Sequence, residues 1–126
     1  MINVIGTVKD KLIADLQPLD RNLQFTSTSD SAPQSLPTLN VNQLGNPTTA
    51  EDLEMSTENA IISTIELKAY SGKTLDKATA LMGKASDSML SMHYQRIYGI
   101  ATLSDVSPYC VVARFRRTVG SGDILY

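Results

Sequence analysis

The chain has 126 residues, of which 42% are hydrophobic and 19% charged, a balance that suits a soluble globule and excludes global disorder or a coiled coil. Its 11 Lys and Arg residues against 13 Asp and Glu residues leave a formal charge of −2, so the positive excess that drives strong binding to phosphate backbones is absent. We therefore expect one domain over residues 1–126, with no sequence-specific nucleic acid among its partners.

The cysteine count and the charges near the N-terminus indicate the compartment in which the protein is found. Cys110 is the only cysteine, which excludes an intrachain disulfide and a cysteine-based zinc ribbon and fits a reducing compartment. Near the N-terminus, Lys9, Asp10 and Lys11 stand among the apolar residues, where a signal peptide or a membrane span would not tolerate them. We therefore expect a cytoplasmic location and no membrane partner.

The first predicted element is a helix over Asn3–Leu16. Its apolar residues recur at steps of three and four with charged residues on the other side, which is typical of an amphipathic helix. Asn3 is the expected N-cap. Pro18 ends the helix near Gln17, because a residue that precedes proline is pushed out of the α region.

A long polar region, about residues 26–59, follows this helix and is rich in Ser, Thr, Asn, Gln and Pro. It is predicted to be mostly loop, with room for one short strand near Leu36–Val41. Because proline cannot donate a hydrogen bond to a neighbouring strand, we expect either that this strand lies at a sheet edge or that Pro37 is among its first residues. From Gly45 to Thr57 we expect a long exposed loop, and such loops in compact domains are functional or disordered.

The clearest strand is predicted over Ile61–Tyr70. Its residues alternate with period two, and the set that begins with Ile61 is expected to face the core. Ser71 and Gly72 then turn the chain into a second helix, Lys73–His93, in which apolar residues return at steps of three and four.

Two more strands, Arg96–Val106 and Tyr109–Val119, are predicted to form an antiparallel pair joined at residues 107–108. In the second of them Arg114 and Arg116 lie on the face opposite Phe115, which makes that face cationic toward the strand's end. The whole order predicts an α+β fold, a small and mainly antiparallel sheet with two helices packed on one face.

The motif of highest interest for chemistry is Ser71-Gly72-Lys73-Thr74, which resembles the end of a phosphate-binding loop. The full pattern needs a glycine five residues before Gly72, where Leu67 stands in mid-strand, so a tight turn and helix start is the favoured interpretation. A small enzyme or nucleotide-binding protein that uses this segment and His93 is a remote alternative. It is tested by Lys73→Ala, which would abolish binding at a true phosphate site.

No other pattern predicts catalysis or ligation. One histidine and one cysteine define no catalytic constellation, and Cys110 between strand residues is most simply a small buried hydrophobe. The acidic residues between Glu51 and Glu58 lack the ligand spacing of a calcium loop and are interpreted as a solvated stretch. We therefore predict no enzyme activity, no cofactor, and no catalytic or metal-binding residues.

Three segments are candidate contacts between subunits, because opposite charges in separate segments suit a head-to-tail contact that closes into a ring if the rotation allows. Their alternative role is that of solvated chain segments that touch nothing. The candidates are the acidic Glu51, Asp52 and Glu54, the basic Arg114, Arg116 and Arg117, and the terminal apolar Ile124, Leu125 and Tyr126.

The order of elements resembles the tail terminator (tail completion) proteins of long-tailed bacteriophages, also described as minor tail or head-tail joining proteins. Besides the N-terminal helix, the similarity lies in three segments: SLPTLNV at Ser35–Val41, TIELKAYSGKTLDKATALMGKASDSM at Thr64–Met89, and YCVVARFRRTVGSGDILY at Tyr109–Tyr126. The resemblance implies a non-enzymatic subunit without a cofactor, typically in a hexameric ring on the last ring of the tail tube. There it stops tube polymerisation and offers a surface to the head connector.

The partners implied by the resemblance are copies of the chain itself, the tail tube protein, and a head connector or stopper protein, with DNA able to pass through the ring. The implied location is the neck of the virion tail, after assembly in the host cytoplasm. A neck or stopper subunit is the alternative within virion assembly, since it needs similar ring interfaces.

Overall fold

The computed structural model of the chain describes residues 4–19, 23–26, 37–45, 48–51, 58–106 and 109–120. In chain order the elements are α1 (Ile5–Leu16), a single 3-10 turn (Gln17–Leu19), β1 (Gln24–Thr26), β2 (Thr38–Gly45), β3 (Thr48–Glu51), β4 (Glu58–Ser71), α2 (Leu75–Ser91), β5 (Gln95–Ser104) and β6 (Tyr109–Gly120).

The six strands form one sheet. Its order is β1-β2-β4-β6-β5, and β3 pairs with the first part of β4. Only β1 and β2 run parallel, while every other described pair is antiparallel. Helix α2 packs on β4, β6 and β5, and α1 packs on α2 and β2. The predicted α+β class, with two helices and a mainly antiparallel sheet, is confirmed.

The core lies between the helices and the inward face of the sheet. The odd-numbered residues of β4 from Ile61 to Ala69 are all buried, as the period-two pattern predicts. Phe115 on β6 and Met82 and Met89 on α2 are buried against them. Since α1 also buries one stripe at helical spacing, both helices are held by apolar contact with their inner sides.

The polar region holds more structure than the sequence predicts. Residues 48–51, expected within a long exposed loop, form β3 and pair with residues 58–61 of β4. The strand predicted near Leu36–Val41 is longer than expected: β2 begins directly after Pro37, at Thr38, and ends at Gly45. Gln24–Thr26, which no pattern marks as a strand, extends the sheet beside β2. Pairing with a longer neighbouring strand supplies the backbone hydrogen bonds of β1 and β3, so these two short segments become strands without alternating apolar residues.

Helix boundaries differ from the predicted ones by a few residues. Helix α1 begins at Ile5 with Val4 as its N-cap and no side-chain cap hydrogen bond, and Asn3, the expected N-cap, lies outside the described residues. Helix α2 begins after Thr74, whose Oγ1 accepts a hydrogen bond from the Lys77 N–H at 3.1 Å. This cap explains why the helix starts at Leu75 rather than at Lys73.

The two helices are joined by a hydrogen bond between a buried hydroxyl and a carboxylate. Ser88 Oγ on α2 donates to Asp15 Oδ2 on α1 at 2.7 Å, and Lys11 Nζ lies 3.1 Å from Asp15 Oδ1. The bond from Ser88 lowers the pKa of Asp15, and Lys11 lowers it further, while partial burial raises it. The ionised carboxylate is therefore the form that the helix pair favours.

Ser88→Ala is expected to lower the free energy of unfolding by about 1 kcal/mol at pH 7, because Asp15 loses its donor from α2. A carboxyl whose pKa is depressed on folding stabilises the protein above its unfolded pKa, and that contribution is lost as pH falls through the folded value. The difference between Ser88→Ala and wild type should therefore shrink once pH falls below the ordinary Asp value of 3.8.

Urea unfolding of the two proteins at several pH values measures this difference. Ser91→Ala on the same helix is the matched control, because Ser91 Oγ donates only to the Ser88 carbonyl oxygen in the described contacts. A loss for Ser88→Ala that keeps its full size down to pH 2 would contradict the role assigned to Asp15.

Candidate functional site

The sheet face opposite the helices carries a charged cluster. On this face Arg114 Nε donates to Glu66 Oε2 at 2.9 Å, and Lys68 Nζ lies 3.8 Å from Glu66 Oε1. The Glu66 side chain is only 9% exposed, whereas that of Arg114 is 49% exposed. The buried carboxylate is thus balanced by two cations, and the charge of Arg114 is largely used within the subunit.

Cys110 and Tyr70 face each other across β6 and β4 on the same side of the sheet. Burial raises the pKa of Tyr70 to about 12, and it also raises the pKa of the Cys110 thiol. A raised thiol pKa disfavours the thiolate, the nucleophilic form of cysteine. The interpretation of Cys110 as a small buried residue is confirmed, with 2% of its surface exposed.

The three arginines of β6 lie on two faces of the sheet. Arg114 and Arg116 are exposed on the outer face, as the alternation predicts. Arg117 turns toward the helix side, where its Nη1 donates to the carbonyl oxygen of Met92 at 2.9 Å. Arg117 therefore does not share the outer face with Arg114 and Arg116, because neighbouring strand residues point to opposite faces. Arg117 binds the C-terminal end of α2, where a cation is favoured.

The predicted acidic and apolar contact residues are only partly described. The backbone of Glu51 ends β3 and pairs with Glu58. Asp52, Glu54 and the terminal residues Ile124, Leu125 and Tyr126 lie outside the described residues. Arg116 pairs with Thr64 on β4. Thr64 lies six residues after Glu58, so these two positions are about 20 Å apart along the strand. The structure therefore does not bring the Glu51 backbone near Arg116 within one subunit.

The segment Ser71–Thr74 forms a turn. The Lys73 N–H donates to Ser71 Oγ at 3.2 Å, and Thr74 caps the helix that follows. These bonds confirm the tight turn and helix start. Among the described residues, no group of three or more His, Cys, Asp or Glu side chains could hold a metal ion. No described helix combines the length and the apolar character needed to cross a membrane.

Helix α2 ends at a left-handed histidine. The N–H of His93 donates to the Leu90 carbonyl oxygen at 3.0 Å, and the N–H of Tyr94 donates to that of Met89 at 3.2 Å. This bonding pattern ends many helices and usually places glycine where His93 stands with φ of 65°. The chain therefore changes direction at His93, two residues before β5 begins at Gln95.

His93→Gly is expected to raise the free energy of unfolding by about 0.5–1 kcal/mol, because glycine adopts the left-handed conformation without the Cβ clash. His93→Ala is the control, since alanine removes the imidazole but keeps the backbone cost. Urea unfolding of both variants compares the two effects. A His93→Gly protein that is less stable than His93→Ala would contradict the backbone explanation.

Sequence analysis predicts strand β5, but not its place at the edge of the sheet or its exposed apolar residues. In the described part of the chain β5 pairs only with β6, and the register of that pair shifts at three places. Each shift leaves one apolar residue of β5 between paired positions: Ile97, Ile100 and Leu103. They are 44%, 36% and 57% exposed, respectively. We call these three residues the β5 apolar row.

Comparison with known proteins adds no family assignment, since no protein-family model matches the chain and no curated protein shows significant similarity to it.

Proposed function

We propose that the chain is a structural subunit that assembles with copies of itself into a ring, in the manner of the bacteriophage tail terminators whose element order it resembles. In that role the ring caps the tail tube, stops its polymerisation and joins it to the head connector. In this proposal the protein acts through its contact surfaces and catalyses no reaction.

The observation that carries the proposal is the β5 apolar row. Three large apolar side chains stand at one sheet edge with a third or more of their surface in water. Burying each of them in a contact would contribute about 1 kcal/mol. Register shifts of this kind bend a strand and interrupt its free edge, so side-chain packing, rather than a continued sheet, is the expected form of contact.

Charge supports a copy of the same chain as the occupant. Arg116 on β6 is exposed and pairs with Gln95, the first residue of β5. The backbone of Glu51 pairs with Glu58, about 20 Å along the sheet from the position of Arg116, which is more than a Debye length at physiological salt. A head-to-tail contact between subunits can bring the acidic Glu51, Asp52 and Glu54 of one copy to the Arg116 of the next.

Electron microscopy of phage particles that lack the protein tests the role. Overlong tails are expected if the protein is a terminator, because nothing then stops the tube. Normal-length tails detached from heads would instead support the neck or stopper role and overturn the terminator role. Complete infectious particles would contradict both roles.

A further inference from the structure

A pocket of about 420 Å³ opens where α2 ends beside the sheet. Strand β5 starts at Gln95, which pairs with Arg116, so residues 117–120 of β6 run past the first residue of β5. This offset leaves a notch next to the end of the helix. The pocket in the notch is lined by Ile62, His93, Gln95, Arg116, Arg117 and Thr118.

The lining of this pocket is cationic. The lining residues include two arginines and a histidine, together with Gln95 and Thr118, and none of the six is acidic. Arg117 Nη1 donates to the Met92 carbonyl oxygen at 2.9 Å, which holds this guanidinium in place. Guanidinium groups match the paired oxygens of carboxylates and phosphates in charge and in geometry.

The position of His93 is a second, independent sign of a site. Its φ of 65° is the only positive value among the described non-glycine residues, and glycine would end the helix there at lower cost. Histidine instead brings a hydrogen-bonding ring to the pocket wall. Backbone strain of this kind is concentrated at ligand-binding positions.

We propose that the pocket binds an oxyanion, a carboxylate or phosphate group, with Arg116 on the outer face and Arg117 on the helix side as its cationic partners. Its volume falls within the range of small-molecule sites, about 300–1,000 Å³, so it holds more than a bare ion. The group is supplied either by a small free anion or by a carboxylate side chain of a second copy of the chain.

Isothermal titration of the full chain with inorganic phosphate at constant ionic strength tests the site. Arg116→Gln is expected to weaken phosphate binding at least tenfold, because one charge-assisted partner is lost. Arg114→Gln is the matched control. It removes the same charge two residues away on the same strand and face, but Arg114 bonds Glu66 and does not line the pocket. Its phosphate affinity should stay within twofold of wild type.

Absence of saturable phosphate binding by the wild-type chain would overturn the proposal, as would equal weakening by Arg116→Gln and Arg114→Gln. Circular dichroism checks that both variants are folded. Failure here would leave the ring proposal in place, because that proposal rests on β5 rather than on this pocket.

Light scattering during the same titration distinguishes the two sources of the oxyanion. If saturating phosphate dissociates the oligomer at constant ionic strength, the site is occupied in the assembly by a carboxylate of a second copy. If phosphate binds and the oligomer is unchanged, the ligand is a small free anion. Both results support the oxyanion site and assign its occupant.

Discussion

Leu103→Lys is expected to convert the proposed ring into folded monomers. Leu103 is 57% exposed in the subunit, so lysine is tolerated there and the free energy of unfolding should change by less than about 0.5 kcal/mol. In a contact between copies the same substitution removes apolar burial and places a charge in a desolvated position. A combined cost of about 3 kcal/mol corresponds to an affinity about 100-fold lower for each subunit contact.

Size-exclusion chromatography with light scattering, over a range of protein concentrations, measures this loss. Leu90→Lys is the matched control, because it makes the same substitution at a side chain that is 48% exposed on α2. The control should assemble as wild type does. Equal dissociation of the two variants would show that added charge, and not the β5 apolar row, weakens the assembly. If the Leu103→Lys variant forms the same oligomer as wild type, the β5 apolar row is not part of the contact between copies.

Phe115→Ala is expected to have the largest effect on folding. Phe115 is fully buried on β6, the strand that pairs with both β4 and β5 and packs against α2. Truncating a buried phenylalanine costs about 3–5 kcal/mol, from lost burial and the cavity left behind. That is a large part of the 5–15 kcal/mol that stabilises an ordinary domain, so the variant should be partly unfolded at 37 °C.

The second phenylalanine of the chain supplies the control for this prediction. Phe25 on β1 is only half-buried at the other end of the sheet and packs against the margin of the core. Phe25→Ala should therefore cost about half as much as Phe115→Ala, in proportion to the apolar area removed. Urea unfolding monitored by circular dichroism gives both values. A smaller loss for Phe115→Ala than for Phe25→Ala would contradict the described core.

The sequence predicts the central elements well, because the spacing of their apolar residues identifies the face that is buried. Alternation over Ile61–Tyr70 identifies the buried face of β4, and helical spacing identifies the buried side of α2. The short strands β1 and β3 could not be predicted in this way. With three and four residues they carry no recognisable period, and they form because a longer strand lies beside them.

The candidate site is less accessible to sequence reasoning. The outward placement of Arg114 and Arg116 follows from alternation, and the same rule would have separated Arg117 from them. The β5 apolar row depends on register shifts against β6, and the pocket beside His93 depends on where β5 begins relative to β6. Both features arise from pairing between distant segments, which no local pattern specifies.

Native mass spectrometry of the purified full chain, alone and mixed with the tail tube protein that the proposed function names as its partner, tests the central claim most directly. We expect an oligomer of a single stoichiometry, formed by the chain alone or on addition of the tube protein. A chain that stays monomeric at all concentrations, with and without the tube protein, would contradict the claim that this protein works by assembling with copies of itself.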